Sequence, residues 1–257
     1  MNSYDGDRRW LKRFGRAGGA APTEVRLLCF HHAGGSASMY RHWSRLMPGT
    51  IEPIAVQLPG RADRLYEPPY DRMPPLVDQL IEVIKPLLDQ PLAFYGVSMG
   101  GRVAWALAHA LRDRAMPMPS ALFVAASAAP CLDNGQWQWE NRDDGLEGYV
   151  REMGGTPPEV LAEPELLASL LPTLQADLTV LSTHDFHPAT PLDVPIRAFA
   201  GTGDPEASPP RMRGWAAETS ARFDLQEIPG GHFFDAAGER LVIQALGHDL
   251  TRRQRAR

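Results

Sequence analysis

The chain of 257 residues has a formal net charge of −5, with 26 Lys and Arg against 31 Asp and Glu, and 44% of it is hydrophobic. That length can bury a large sheet as one domain without a disulfide framework or a structural metal, and the composition excludes wholesale disorder. The negative balance, with no long basic block, argues against nucleic acid as a partner; no apolar run reaches the ~18 residues of a membrane span and no signal-peptide core opens the chain, so a cytoplasmic protein is expected.

Residues 1–22 set Arg8, Arg9, Lys12, Arg13 and Arg16 around Trp10 and Phe14 and then run into Gly18-Gly19. They read as a partly ordered N-terminal arm, with Trp10 available to pack on a domain of residues 23–257. Val25–Phe30 is the first strand. It contains Cys29, which with Cys131 makes two cysteines, too few for a disulfide framework and without metal spacing, as in a reducing compartment. The strand leads into His31-His32-Ala33-Gly34-Gly35-Ser36, a small Gly-rich loop of the kind that can turn a backbone N–H, here that of Ala33, toward a reacting carbonyl. The paired histidines do not suggest a metal, because adjacent residues on extended chain point in opposite directions.

Ile51–Leu58 reads as the next strand, closed by Pro59-Gly60-Arg61. Leu76, Leu80, Ile84 and Leu88 then mark a helix disturbed at its end by Pro86. Leu92-Ala93-Phe94-Tyr95 opens an apolar, β-prone run that ends in the turn Gly96-Val97-Ser98-Met99-Gly100. Val103, Leu107 and Leu111 recur every four residues after it as a helix. Strand, Gly-x-Ser-x-Gly and helix in this order form a turn that holds a serine rigid and exposed, which a hydroxyl needs before a base can activate it. Ala121–Ala126 is a buried strand, and the alternation predicts an α/β fold with a mostly parallel sheet covered on both faces.

Between Ser127 and Val194 far more chain intervenes than a crossover needs, so residues 130–190 read approximately as an inserted helical lid. Leu146, Tyr149, Val150 and Met153 make one apolar face, stopped by Gly154-Gly155. Leu166 to Leu181 make another, strained at Pro172, and Trp137 and Trp139 could line a pocket. Ordinary core helices are the alternative. Val194–Ala200 then leads into Gly201-Thr202-Gly203-Asp204, a helix surrounds Trp215, Phe223–Ile228 leads into Gly230-Gly231-His232, and a last helix covers about Arg240 to Leu250.

Ser98, Asp204 and His232 each follow a strand, in the chain order of an α/β-hydrolase triad. His232 would take the Ser98 proton, Asp204 would fix the imidazole tautomer, and the N–H groups of Met99 and Ala33 would stabilise an oxyanion. His109, His184, His187 and His248 are weaker bases by position, as Asp185, Asp224 and Asp235 are weaker acids, none of them lying in a Gly-rich loop at a strand end.

The His31–Ser36 loop, Leu58-Pro59-Gly60-Arg61-Ala62-Asp63-Arg64 with Glu67-Pro68-Pro69, the Ser98 turn and Gly230-Gly231-His232-Phe233-Phe234 together resemble the type II thioesterases. These are the discrete editing hydrolases of polyketide and nonribosomal peptide synthases. The resemblance implies an α/β-hydrolase fold and hydrolysis of acyl thioesters on the phosphopantetheine arm of an acyl or peptidyl carrier protein, with no cofactor of the enzyme's own and no metal. It places the triad on Ser98, Asp204 and His232 and the oxyanion loop on Ala33. Val97 and His31 depart from the histidine and proline that the family often carries there. Chain-releasing acyl-carrier hydrolysis, a carboxylesterase or acyltransferase, and a non-catalytic hydrolase-fold binding protein remain alternatives. Arg41, Arg45, Arg61 and Arg64 are candidate carrier-docking charges, with Arg61 alternatively holding its loop.

Overall fold

The computed structural model describes residues 8–15, 22–132, 142–184 and 189–255. Its strands are β1 (Leu11–Lys12), β2 (Val25–Phe30), β3 (Ile51–Val56), β4 (Leu92–Val97), β5 (Leu122–Ala125), β6 (Ile196–Gly201) and β7 (Phe223–Ile228). They form one sheet in the order β1-β3-β2-β4-β5-β6-β7, parallel throughout except for the antiparallel β1. The helices are α1 (Trp43–Leu46), α2 (Met73–Ile84), α3 (Met99–Asp113), α4 (Gly145–Met153), α5 (Pro158–Ala162), α6 (Pro164–Ser182), α7 (Pro209–Arg213) and α8 (Ala236–Arg255).

Side chains alternate across a strand, so a sheet covered on both faces needs apolar residues at consecutive positions. β2 and β4 supply them. Leu28, Phe30 and Phe94 enter a core shared with α2 and α3, while Leu27, Cys29 and Tyr95 enter a second core with Trp43 and the Val242, Ile243 and Leu246 face of α8. Each fully buried Leu, Ile or Phe contributes about 1.5–3 kcal/mol, which makes truncation of Leu28 or Phe94 costly.

Residues 8–12 of the expected arm pack on the domain. Leu11 and Lys12 pair with Val56 and Ala55, Trp10 is buried, and the Arg64 guanidinium lies 4.1 Å from the centroid of its ring. Pro86 falls in a 3-10 turn, Lys85–Leu87, that ends α2. The expected helix around Trp215 is α7 followed by a 3-10 turn, Gly214–Glu218. The last helix starts earlier than its apolar spacing predicts, because Asp235 Oδ1 accepts the N–H groups of Ala237 (3.0 Å) and Gly238 (2.8 Å) as an N-terminal cap. That use removes Asp235 as a candidate acid.

Between β5 and β6 the inserted chain contains α4, α5 and α6. α4 stops at Gly154, whose φ of +71° ends the helix in the left-handed conformation. α6 passes through Pro172 without a break in its helical assignment, although proline removes one backbone donor there. Val180 and Leu181, near its C-terminal end, belong to the core shared with α2 and α3, as ordinary core helices would. Among the described residues no helix is long and apolar enough to cross a membrane.

Candidate active site

The turn between β4 and α3 is as tight as its glycines require. A Cβ on Gly96 would lie 2.2 Å from the Gly100 carbonyl oxygen, and one on Gly100 would lie 2.3 Å from that of Phe30. Ser98 itself has φ +53° and ψ −118°, a conformation that costs a non-glycine residue about 1–3 kcal/mol. Hydrogen bonds from its N–H to Ala125 O (2.8 Å) and from Gly101 N–H to its carbonyl (3.0 Å) hold it there. The strain sets the hydroxyl at the N-terminus of α3, the positive end of the helix.

β6 and β7 deliver the other two residues. Asp204 Oδ2 lies 2.8 Å from His232 Nδ1, and His232 Nε2 lies 3.0 Å from Ser98 Oγ. Asp204 Oδ1 also accepts the N–H groups of Glu206 and Ala207, each at 2.9 Å. A carboxylate can only accept, so the imidazole carries its proton on Nδ1 and offers a bare Nε2 to the serine hydroxyl. Burial pushes the Asp204 carboxyl up, but the hydrogen bond and charge of His232, with the Ala207 and Glu206 N–H groups, outweigh burial and hold it below its ordinary value. The acid is therefore ionised at neutral pH, and this arrangement can generate a serine nucleophile.

Met99 is the first residue of α3, so its N–H is among those a helix leaves unpaired at its start, beside Ser98. Ala33 lines the cavity into which Ser98 and His232 open. That cavity has a volume of about 170 Å³. One wall is His32, Ala33, Gly34, Ser98, His232 and Phe233, and the other comes from the inserted helices: Tyr149, Val150 and Met153 of α4 and Leu167, Leu170, Leu171, Leu174 and Leu178 of α6. An apolar chamber beside a polar reacting centre suits an acyl chain.

The two histidines of the loop bond to backbone. His31 Nδ1 lies 2.8 Å from His32 O and His32 Nδ1 2.9 Å from Ala33 O, and burial holds both rings below the usual histidine range. Among the described residues no group of His, Cys, Asp or Glu is placed to hold a metal. The other sequence candidates are elsewhere. His109 stacks on Trp105 within α3, His184 follows α6, His248 lies in α8, and Asp224 on β7 pairs with Arg222. Asp185, His187, Trp137 and Trp139 lie outside the described residues.

Two of the four candidate docking charges are not available to a partner. Arg61 is buried and forms a two-pronged pair with Asp177, and buried Arg64 pairs with Glu67 and stacks on Trp10. Arg41 and Arg45 are exposed. No motif marks Asp177, although its position carries a signal. An aspartate three residues after Leu174 and one before Leu178 falls on the apolar stripe of α6, where a charge needs a buried partner. Tyr149 and Glu206 form a second bridge from the lid to the triad loops, the phenol donating to Glu206 Oε2 at 3.2 Å. Burial raises the Glu206 carboxyl, a shift that His232 and the Tyr149 hydrogen bond only partly offset.

Residues 25–249 match the family model described as Thioesterase domain. Linear gramicidin dehydrogenase LgrE of Brevibacillus parabrevis is 36% identical over 218 residues, which is 83% of each chain. Among solved structures, the thioesterase RedJ from the prodiginine biosynthetic pathway of Streptomyces coelicolor superimposes with a TM-score of 0.84 at 34% identity, over 90% of this chain and 95% of that one. The type II thioesterase BorB from the borrelidin biosynthetic cluster gives 0.81 at 31% identity, over 93% of this chain and 96% of the other.

Proposed function

From the premise that the chain belongs to the thioesterase family and has its α/β-hydrolase fold, we propose that it is a serine thioesterase that removes acyl groups from phosphopantetheine arms of carrier proteins in polyketide or nonribosomal peptide synthesis. The observation that carries this reading is Ser98 Oγ, 3.0 Å from His232 Nε2, opening into the apolar cavity beneath the lid. Ser98 attacks the thioester carbonyl as His232 takes its proton, and Met99 and Ala33 N–H stabilise the tetrahedral oxyanion. Each such donor is typically worth about 2.7–4 kcal/mol. The imidazolium, stabilised by Asp204, then protonates the departing pantetheine thiolate and leaves an acyl-Ser98 ester. Water, deprotonated by His232, releases the free acid and restores Ser98. The thiol, with a parent pKa of about 8.5, leaves easily, so the burden on the general acid is small.

The enzyme needs no cofactor of its own in this scheme, since phosphopantetheine arrives with the substrate. The work belongs in the cytoplasm, a compartment that the free thiols of Cys29 and Cys131 fit. BorB is named for a biosynthetic cluster and as type II, and that relationship supports an editing role in which stalled or wrongly primed acyl units are cleared. The family resemblance implies a carrier that is acidic around its arm, which a chain at −5 overall must meet with a local surface, and exposed Arg41 and Arg45 are the docking charges we assign. The test is a panel in which the same acyl groups are offered on holo-carrier protein, on free pantetheine and as oxygen esters. Faster release from the carrier thioester than from the matched oxygen ester supports the reading; preference for the oxygen ester, or acyl transfer to an added alcohol in place of hydrolysis, overturns it.

A further inference from the structure

We propose that Asp177, on the lid helix α6, is a positioning residue for the oxyanion hole; the inference rests on the assignment of Ser98 as the nucleophile and Ala33 as an oxyanion donor. The peptide joining Ala33 to Gly34 is held at both ends. Its carbonyl lies 2.9 Å from His32 Nδ1, which donates to it, and its N–H donates to Asp177 Oδ2 at 2.7 Å. Holding that peptide plane restricts the backbone torsions at Ala33, which link it to the preceding peptide that carries the Ala33 N–H. Asp177 is in turn held by Arg61, Nη1 to Oδ2 at 2.5 Å and Nη2 to Oδ1 at 2.7 Å. Arg61 also donates to Pro59 O at 3.0 Å and to Gly35 O at 3.3 Å, so one guanidinium binds both the carboxylate and the loop that the carboxylate orients.

Stability alone gives a weak account of this pair. Asp177 is 2% exposed and Arg61 6% exposed, and two buried charges recover their lost hydration only with good geometry; an apolar pair of the same volume is often as stable or more so. An apolar pair could close α6 onto the loop equally well. It could not accept the Gly34 N–H. The buried charge therefore supplies a fixed acceptor, aimed from the lid at the loop whose geometry sets transition-state stabilisation, where a displacement of about 1 Å can cost on the order of 10²-fold in rate.

The experiment compares wild type with the paired replacement Arg61→Met/Asp177→Leu, which removes both charges together, and with Asp177→Asn, which keeps the side-chain shape should the pair fail to fold. Thermal melting establishes which variants are folded. Three quantities are then read with one acyl group: kcat and KM on acyl-pantetheine, Ki for the matching trifluoromethyl ketone, which needs the oxyanion donors once Ser98 adds to it, and Kd for the thioether analogue, which does not. The expected result is a fall in kcat of about 10²-fold in the paired variant and about 10-fold in Asp177→Asn, with Ki rising by the same factor and KM and the thioether Kd changing less than about three-fold. Unchanged kcat in a folded variant, or a thioether Kd that worsens as much as Ki, overturns the proposal. Ser98→Ala separates the two levels. If it abolishes turnover while the Asp177 variants are unaffected, only this inference fails; if it retains turnover, the reading beneath it fails.

Discussion

Replacing Asp204 by Asn changes one atom and reverses the polarity of the hydrogen bond that sets the base. In the native site Oδ1 is occupied by the Glu206 and Ala207 N–H groups and Oδ2 faces His232 Nδ1. An asparagine that keeps its oxygen on those two N–H groups must present its NH₂ to His232. Nδ1 then becomes the acceptor, the ring proton moves to Nε2, and Ser98 Oγ faces a donor instead of a base. The imidazolium formed during attack also loses its counter-charge. In a triad of this geometry the two effects together lower kcat by about 10⁴-fold, or about 5.4 kcal/mol at 1.36 kcal/mol per tenfold. Because both loop bonds survive, the melting temperature should stay within about 4 °C of wild type. The assay is thiol release from acyl-pantetheine at pH 7–8, with Asp224→Asn, at a surface pair on β7, as the control. A loss of less than about tenfold, or an equal loss in Asp224→Asn, would refute the assignment of the acid.

Glu206→Gln should raise the melting temperature at neutral pH by up to about 4 °C. The folded-state pKa of Glu206 is raised by burial, so the native protein binds that proton more tightly than the unfolded chain does, and ionisation at neutral pH costs stability. Gln keeps an acceptor for Tyr149, and the advantage should vanish below about pH 4, where both states are protonated. A lower melting temperature at pH 7 would contradict this sign. Charge reversal of Arg41 and Arg45 should raise KM for acyl-carrier protein and leave that for acyl-pantetheine unchanged, and added salt should weaken the wild-type preference for the carrier. Equal effects on both substrates would move the docking surface elsewhere.

The elements that position Ser98, Asp204 and His232 were legible because their signals are local. β2, β4 and α3 follow from short apolar runs, from four-residue spacing and from a turn that admits only glycine at its flanks. Ser98, Asp204 and His232 each sit just beyond a strand, and sheet topology brings such loops to one edge, where the three lie within hydrogen-bond reach. What stayed hidden depends on contacts between distant segments. That Arg61 holds its loop was one of two readings open to the sequence, and its bonds to Pro59 O and Gly35 O agree with it; its buried partner Asp177, 116 residues away on α6, was not legible, nor was the reach of that carboxylate to Gly34 across 143 residues. β1 is two residues long and exists only through its pairing with β3, so no periodicity could announce it. Asp235 ranks below Asp204 as an acid by position, but its role as the cap of α8 shows only in its bonds to the Ala237 and Gly238 N–H groups.

If Ser98 is the nucleophile, an acyl-enzyme ester must form on it during turnover. Acyl-carrier protein carrying an isotopically labelled acyl group is mixed with enzyme, quenched with acid within the first turnovers, digested and mapped by mass spectrometry. The account predicts the acyl mass on Ser98 alone, its disappearance on a longer incubation as free acid accumulates, and its absence from Ser98→Ala, which should remain folded and release no acid. Label on any other residue, or continued acid release by Ser98→Ala, would contradict it.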